Sequence, residues 1–163
     1  MAVVADLARR VTPTQEIRFC RSTGGVRIAY AVHGSGPPLV IDACWLSHLQ
    51  YDWQSPVWRH YLVELGKVAT VIRFDERGHG LSDREVTDFT LEARIADLEA
   101  VVDDAGLDRF ALMAMSQGGP VSIAYAVRHP ERVGRLLFYG SYAAPMRDAT
   151  HPRRSSSRRR STR

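Results

Sequence analysis

The stretch from Phe110 to Tyr139, FALMAMSQGGPVSIAYAVRHPERVGRLLFY, contains the pattern that decides the fold. The apolar run Phe110–Met113 is typical of a buried strand, and Gln117–His129 is predicted as a helix that ends before Pro130. The run Val133–Tyr139 is apolar again and predicts a second strand. A strand, a helix and a strand in this order form a unit whose two strands run parallel.

The same alternation occurs upstream. A hairpin is predicted first, from two alternating runs that flank the turn Gly24-Gly25. Two buried strands and two helices are predicted next, with a long loop between the first of these strands and the first of these helices. The predicted elements are the hairpin strands 16–20 and 26–32, strands 39–41 and 69–74, the loop 42–55, and helices 56–65 and 91–106. This order predicts the α/β class, with a mostly parallel sheet of about six strands and helices on both faces.

Ser116 is the candidate catalytic residue. It stands in AMSQGG, between a predicted strand and a predicted helix, where the pattern G-x-S-x-G would form a nucleophile elbow. Such a turn is sharp, so the residues two before and two after the serine must be small, and here they are Ala114 and Gly118. The backbone N–H of Gln117 would then face the developing oxyanion. The alternative is an ordinary serine–glycine turn.

Three further segments resemble the α/β-hydrolase superfamily of the AB hydrolase-1 type. They are RFDERGHGLSD (73–83), HPERVGRLLFYG (129–140) and the opening GVRIAYAVHGSGPPLV (25–40). The resemblance covers about residues 16–143, the N-terminal portion of such a fold, and predicts an incomplete α/β-hydrolase domain. The stretch CWLSHLQYDW (44–53) resembles a subgroup whose hydrolase-like domains are joined to cyclase or helix-turn-helix regulators.

The resemblance implies hydrolysis of a small-molecule ester or acyl-type bond, with Ser116 as the nucleophile. Most members have His-Gly after the third strand, whereas this chain has Asp42-Ala43-Cys44-Trp45. A backbone N–H of Cys44 or Trp45 is therefore the predicted second oxyanion donor, beside that of Gln117, because the hole needs amides rather than particular side chains. The loop 75–82 is expected to be structural. No metal or other cofactor is predicted, since no ligand spacing or complete dinucleotide motif occurs.

The acid and the base of a serine triad are missing from their usual places. In the family the acid and then the histidine follow later strands. After Ser116 this sequence offers only His129, at a helix end, and His151. His48 is considered as a substitute base, and His79 is assigned to the structural loop. We therefore expect little activity of this chain alone, and a non-catalytic ligand-sensing or regulatory module remains the alternative.

The charge of the chain is concentrated at its C-terminal end. Residues 147–163 contain seven arginines and one aspartate, which leaves 15 basic and 17 acidic residues of the chain's 22 and 18, a net charge of −2 for the rest. The predicted organisation is a flexible leader (1–15), a truncated hydrolase domain (16–143) and a disordered, Arg/Ser-rich basic segment (144–163). We interpret this segment as non-native, from a truncated or frameshifted gene. The rival interpretation is a nucleic-acid-binding tail, which is disfavoured because aromatic residues are absent from it.

A cytoplasmic protein without a membrane span is predicted, with self-association through an exposed edge strand.

Overall fold

A six-stranded sheet forms the centre of the protein. The computed structural model describes residues 13–42 and 46–143. The strands are β1 (Glu16–Arg21), β2 (Arg27–Gly34), β3 (Pro38–Asp42), β4 (Thr70–Phe74), β5 (Phe110–Met115) and β6 (Val133–Tyr139). Their spatial order is β1-β2-β4-β3-β5-β6, so β5 lies between β3 and β6.

The sheet is antiparallel at one edge and parallel elsewhere. Strand β2 pairs antiparallel with both β1 and β4, whereas the pairs β3–β4, β3–β5 and β5–β6 are parallel. The predicted hairpin and the predicted parallel units are therefore confirmed. Because four neighbouring strands point the same way, the segments that follow β3, β4, β5 and β6 emerge at one edge of the sheet, where open α/β sheets bind their ligands.

Helices cover both faces of the sheet, as the alternation of elements predicts. They are α1 (Leu49–Gln54), α2 (Arg59–Gly66), α3 (Leu91–Asp104) and α4 (Gly119–Arg128). The two faces bury alternate residues of the same strands. Val40 and Leu112 pack with residues of α3 and α4, whereas Ile41 and Met113 pack with Trp58, Tyr61 and other residues near α2. This alternation is the period-two pattern of strands that are buried on both sides.

The segment predicted as the long loop 42–55 contains helix α1, so that part of the prediction is wrong. The helix is only six residues long, and the side chain of His48 caps it by accepting a hydrogen bond from the backbone N–H of Tyr51 at 3.5 Å. Its buried residues Leu49 and Trp53 anchor it to the domain. The following helix begins at Arg59 rather than at Pro56. Tertiary packing, rather than local helical preference, explains so short a helix.

Some predictions fall on the edges of the described chain. Gln15, assigned to the leader, donates from Nε2 to the carbonyl of Leu49 at 3.0 Å and accepts from Arg73 at 3.0 Å. The predictions for residues 1–12, for Cys44 and Trp45, and for the basic segment 144–163 lie outside the described residues. Among the helices of the described ranges, none has the length and apolar character needed to cross a membrane.

Candidate functional site

Ser116 has the backbone conformation of a strained turn. It follows the last residue of β5 and begins a 3₁₀ turn, Ser116–Gly118, that leads directly into α4. Its φ angle is +47°, and within the described ranges only Leu46 shares a positive φ among residues other than glycine. A non-glycine residue in this region costs free energy, and such strain concentrates at functional sites. The conformation is that expected of a nucleophile elbow.

Close packing explains why the residues around Ser116 are small. A Cβ at Gly118 would lie 3.0 Å from the carbonyl oxygen of Asp42 and 3.1 Å from its Cγ. A Cβ at Gly119 would collide with the carbonyl oxygen of Tyr142 and with Oγ of Ser141. Ala114 is fully buried. The end of β3 therefore leaves little room for a side chain at Gly118, and the chain after β6 leaves none at Gly119.

The turn is hydrogen-bonded from the β6 side. Ser141, two residues beyond the end of β6, donates from its Oγ to the backbone carbonyl of Ser116 at 2.6 Å. This residue was not singled out in the sequence, since a serine in a loop of ordinary composition gives no signal. Only the sheet order, which puts β6 beside β5, brings it to Ser116.

Gln117, the predicted oxyanion donor, is held by a buried acid. Its Nε2 donates to Oε2 of Glu76 at 2.9 Å, while the other carboxylate oxygen of Glu76 accepts from Arg94. Glu76 is 6% exposed, and this burial raises the pKa of its carboxyl although Arg94 acts in the opposite direction. Glu76 lies inside the RFDERGHGLSD segment, which was interpreted only as structural, so its contact with the elbow was missed.

The predicted second oxyanion donors, Cys44 and Trp45, lie outside the described residues. The chain on their C-terminal side is anchored by Asp75, which is completely buried. Its carboxylate accepts from the hydroxyl of Ser47 at 2.7 Å and from the backbone N–H groups of Leu49 at 3.3 Å and Leu81 at 2.8 Å. Asp75 thus ties the segment after β3 to the loop after β4.

The rest of the loop after β4 is braced as the resemblance implies. Arg77 forms a buried ion pair with Asp97 of α3, with a closest distance of 2.7 Å. The hydroxyl of Ser82 donates to the carbonyl of Asp75 at 2.6 Å and accepts from the N–H of Ala29 at 2.8 Å. His79 contacts the carbonyl of Arg77 through Nδ1 at 3.1 Å. These contacts use the polar side chains of the loop to hold its own backbone and to join it to β2 and α3.

Within the described ranges, no base is in place for Ser116. Across residues 13–42 and 46–143, neither a histidine nor a carboxylate hydrogen-bonds to its hydroxyl. His48 instead caps α1 and stacks on Tyr51 with ring centroids 4.1 Å apart. His129 contacts Glu99 through Nε2 at 2.9 Å, at the far end of α4. The described residues around Ser116 therefore form a strained turn without a histidine or carboxylate partner for the serine hydroxyl.

A cavity of about 150 Å³ opens beside the turn, between the sheet and helices α1 and α2. The last residue before Ser116, Met115, lines it, and most of the wall is apolar. Its polar wall includes the ion pair of Arg73 with Asp52, whose atoms are 3.2 Å apart. Burial lowers the pKa of Arg73 and raises that of Asp52. A small apolar group would fit this space.

Comparison with known proteins identifies the family. The model of the alpha/beta hydrolase fold matches residues 37–159, more than half of the chain. The chain belongs to the alpha/beta hydrolase fold family. The predicted resemblance is thereby confirmed, whereas the subgroup with regulatory domains remains a prediction.

Two curated proteins and one solved structure illustrate what this chain is similar to. A 2-hydroxy-6-oxo-2,4-heptadienoate hydrolase of Pseudomonas putida is 34% identical over 68% of this chain and 36% of its own length. Haloalkane dehalogenase 2 of Mycobacterium bovis is 34% identical over 80% of this chain and 43% of its own length. The crystal structure of the esterase RhEst1 from Rhodococcus sp. ECU1013 is 30% identical, with a TM-score of 0.68 over 78% of this chain and 46% of that one. The chain thus spans about two-fifths of the length of these curated relatives.

Proposed function

We propose that this alpha/beta hydrolase acts on a small-molecule ester or similar acyl compound, with Ser116 as the nucleophile. The observation that carries the proposal is the left-handed conformation of Ser116, at a closely packed turn between strand and helix that small residues flank. The named relatives, which include hydrolases and an esterase, support a reaction of this class.

The proposed reaction has two steps. Oγ of Ser116 forms a bond to the acyl carbon, the bond to the leaving group breaks, and the hydroxyl proton goes to the leaving group. Water then attacks the acyl-serine, which releases the acid and restores the hydroxyl. The backbone N–H of Gln117, with one near Cys44 or Trp45, is proposed to stabilise the oxyanion in each step.

Activity of the chain by itself is expected to be low. No described histidine or carboxylate contacts the Ser116 hydroxyl, and triad enzymes that lose a member retain only a residual rate enhancement of about 10³–10⁴ over water, which comes from the oxyanion hole and binding. The same observation favours the second candidate, a ligand-sensing module that keeps the fold without the chemistry. The cavity beside Met115 would then hold the ligand.

A fluorophosphonate probe separates the two candidates. The probe forms a bond to an activated serine and loses fluoride, and the adduct is detected by mass spectrometry. We expect slow labelling of the chain at Ser116 and no labelling of the Ser116→Ala variant. Failure to label the unmodified chain would favour the ligand-sensing module.

We further propose a cytoplasmic location and a small-molecule substrate. The thiol of Cys20 is free, as a reducing compartment would keep it, and burial raises its pKa to about 11. The basic segment is proposed to have no part in catalysis and no nucleic-acid partner.

A further inference from the structure

The peptide unit between Ser116 and Gln117 is held from two directions by side chains of other elements. Its carbonyl, which belongs to Ser116, accepts from the Ser141 hydroxyl at 2.6 Å. The side chain of Gln117, on the other end of the unit, donates to Glu76 at 2.9 Å. Ser141 follows β6, and Glu76 follows β4, so the two contacts come from opposite sides of β5.

The orientation of this peptide unit decides where the N–H of Gln117 points. A trans peptide is planar, and its C=O and N–H point in opposite directions. The described chain has no cis peptide bond. Because the carbonyl accepts from Ser141, which follows β6, the N–H of Gln117 points away from Ser141. Strand β3 lies on the other side of β5 from β6. The residues that follow β3 in sequence are those in which the second oxyanion donor is predicted.

The contact between Gln117 and Glu76 requires the burial of a carboxyl group, which costs free energy. The carboxyl is 6% exposed, and a buried charge is tolerated only when its partners satisfy it. One oxygen accepts from Arg94 and the other from Gln117, so both are used. The side chain of Gln117 is thereby fixed to the loop after β4, which limits rotation of the Gln117 backbone.

We propose that Ser141 and Glu76 are positioning residues, which together orient the peptide between Ser116 and Gln117 so that its N–H faces the oxyanion. This inference rests on the proposed function. Neither side chain touches the substrate, and both act through the backbone of the turn. The turn needs such support because Ser116 is held at a strained φ of +47°, from which an unsupported peptide would relax.

The test measures the kinetics of inactivation by a fluorophosphonate. These kinetics give the constant KI for reversible binding and the rate constant kinact for formation of the covalent bond. A misdirected oxyanion donor slows bond formation without changing reversible binding. Ser141→Ala is therefore expected to lower kinact roughly tenfold at unchanged KI, less than the 10²–10³ that follows removal of a donor. Ser141→Thr keeps the hydroxyl and should restore kinact to within about threefold of the unmodified chain.

A matched control uses another serine that hydrogen-bonds to the backbone. Oγ of Ser55 accepts from the N–H of Val57 at 3.1 Å, at an exposed position outside the turn. Ser55→Ala should leave kinact and KI unchanged. Melting temperatures of all variants are measured in parallel, so that a loss of folded protein is not mistaken for a loss of orientation.

The contact between Gln117 and Glu76 is tested by exchanging the amide and the carboxylate between the two positions. Gln117→Glu places a carboxylate against Glu76 and should lower kinact at least tenfold at neutral pH, because two adjacent carboxylates repel. The double variant Glu76→Gln/Gln117→Glu restores an amide–carboxylate hydrogen bond and should recover most of the rate. A general loss of stability would not be repaired by this exchange.

The outcomes distinguish this inference from the proposed function. If the unmodified chain is not labelled above Ser116→Ala, the proposed function fails and the inference fails with it. If the chain is labelled but Ser141→Ala and Gln117→Glu react at the unmodified rate, only the inference is overturned. A fall in kinact that Ser141→Thr or the double exchange repairs supports it.

Discussion

At the turn, Ser116 has a strained backbone, and contacts from neighbouring segments support it. Ser116 adopts a conformation that serine avoids, and the neighbouring glycines allow two other segments to approach within contact distance. The sequence AMSQGG predicts this turn, because a serine flanked by small residues between a strand and a helix is typical of a nucleophile elbow. Ser141 and Glu76 could not be predicted in the same way, since their roles depend on which strands are neighbours.

The single residue His33 makes the stability of the fold depend on pH. It is 5% exposed, its Nε2 hydrogen-bonds to the carbonyl of Leu62 at 3.0 Å, and burial, with a smaller contribution from Arg73, lowers its pKa below 6.5. The unfolded chain therefore binds a proton at His33 before the folded chain does. Stability from this group is present above about pH 6.5 and is lost as the pH falls towards the folded pKa.

We predict a lower melting temperature at pH 5.5 than at pH 7.5, to which His33 contributes. His33→Asn should be less stable than the unmodified chain at pH 7.5 and should lose less stability between these two values. Thermal melts of both proteins at the two pH values measure the difference. Equal losses in the two proteins would contradict the assignment to His33.

At the scale of elements, periodicity predicts the long segments and fails for the short helix. Helix α3 was predicted from Leu91, Ile95, Leu98 and Val102, and the structure buries the last three completely. Helix α1 has no such repeat over its six residues, and it depends on a cap from His48 and on contacts with distant chain. Local sequence does not contain those contacts, so the segment was predicted as a loop.

The glycine at the end of α3 has a backbone conformation that other residues adopt only at a cost in free energy. Gly106, predicted to close the helix, has a φ of +66°, and a Cβ there would meet no atom within 4 Å. Gly106→Ala should therefore destabilise the protein by about 1 kcal/mol through backbone strain alone. Gly106→Asn should cost less, because asparagine tolerates this conformation better. Urea unfolding measures both values, and an unchanged midpoint for the alanine variant would contradict the strain.

At the scale of the whole molecule, the sheet ends in an open strand. Strand β6 pairs only with β5 and forms one edge of the described sheet. Leu137, Phe138 and Tyr139 are 43%, 50% and 57% exposed, on both faces of that strand. An exposed apolar edge invites pairing with another chain.

We predict concentration-dependent self-association of this chain through β6. Light scattering during size-exclusion chromatography should show an apparent mass that rises with loading concentration, and Phe138→Lys should reduce the rise. Val127→Lys is the matched control, since Val127 is 76% exposed and belongs to helix α4 rather than to the edge strand. A monomer at all concentrations, with a cooperative melt, would contradict this prediction.

The central claim is that Ser116 is a nucleophile, and covalent labelling tests it most directly. The chain and its Ser116→Ala variant are incubated with a fluorophosphonate, and the intact masses and the labelled peptide are determined. We expect one adduct on Ser116 of the unmodified chain and none on the variant. No adduct on either protein, or equal labelling of both, would contradict it.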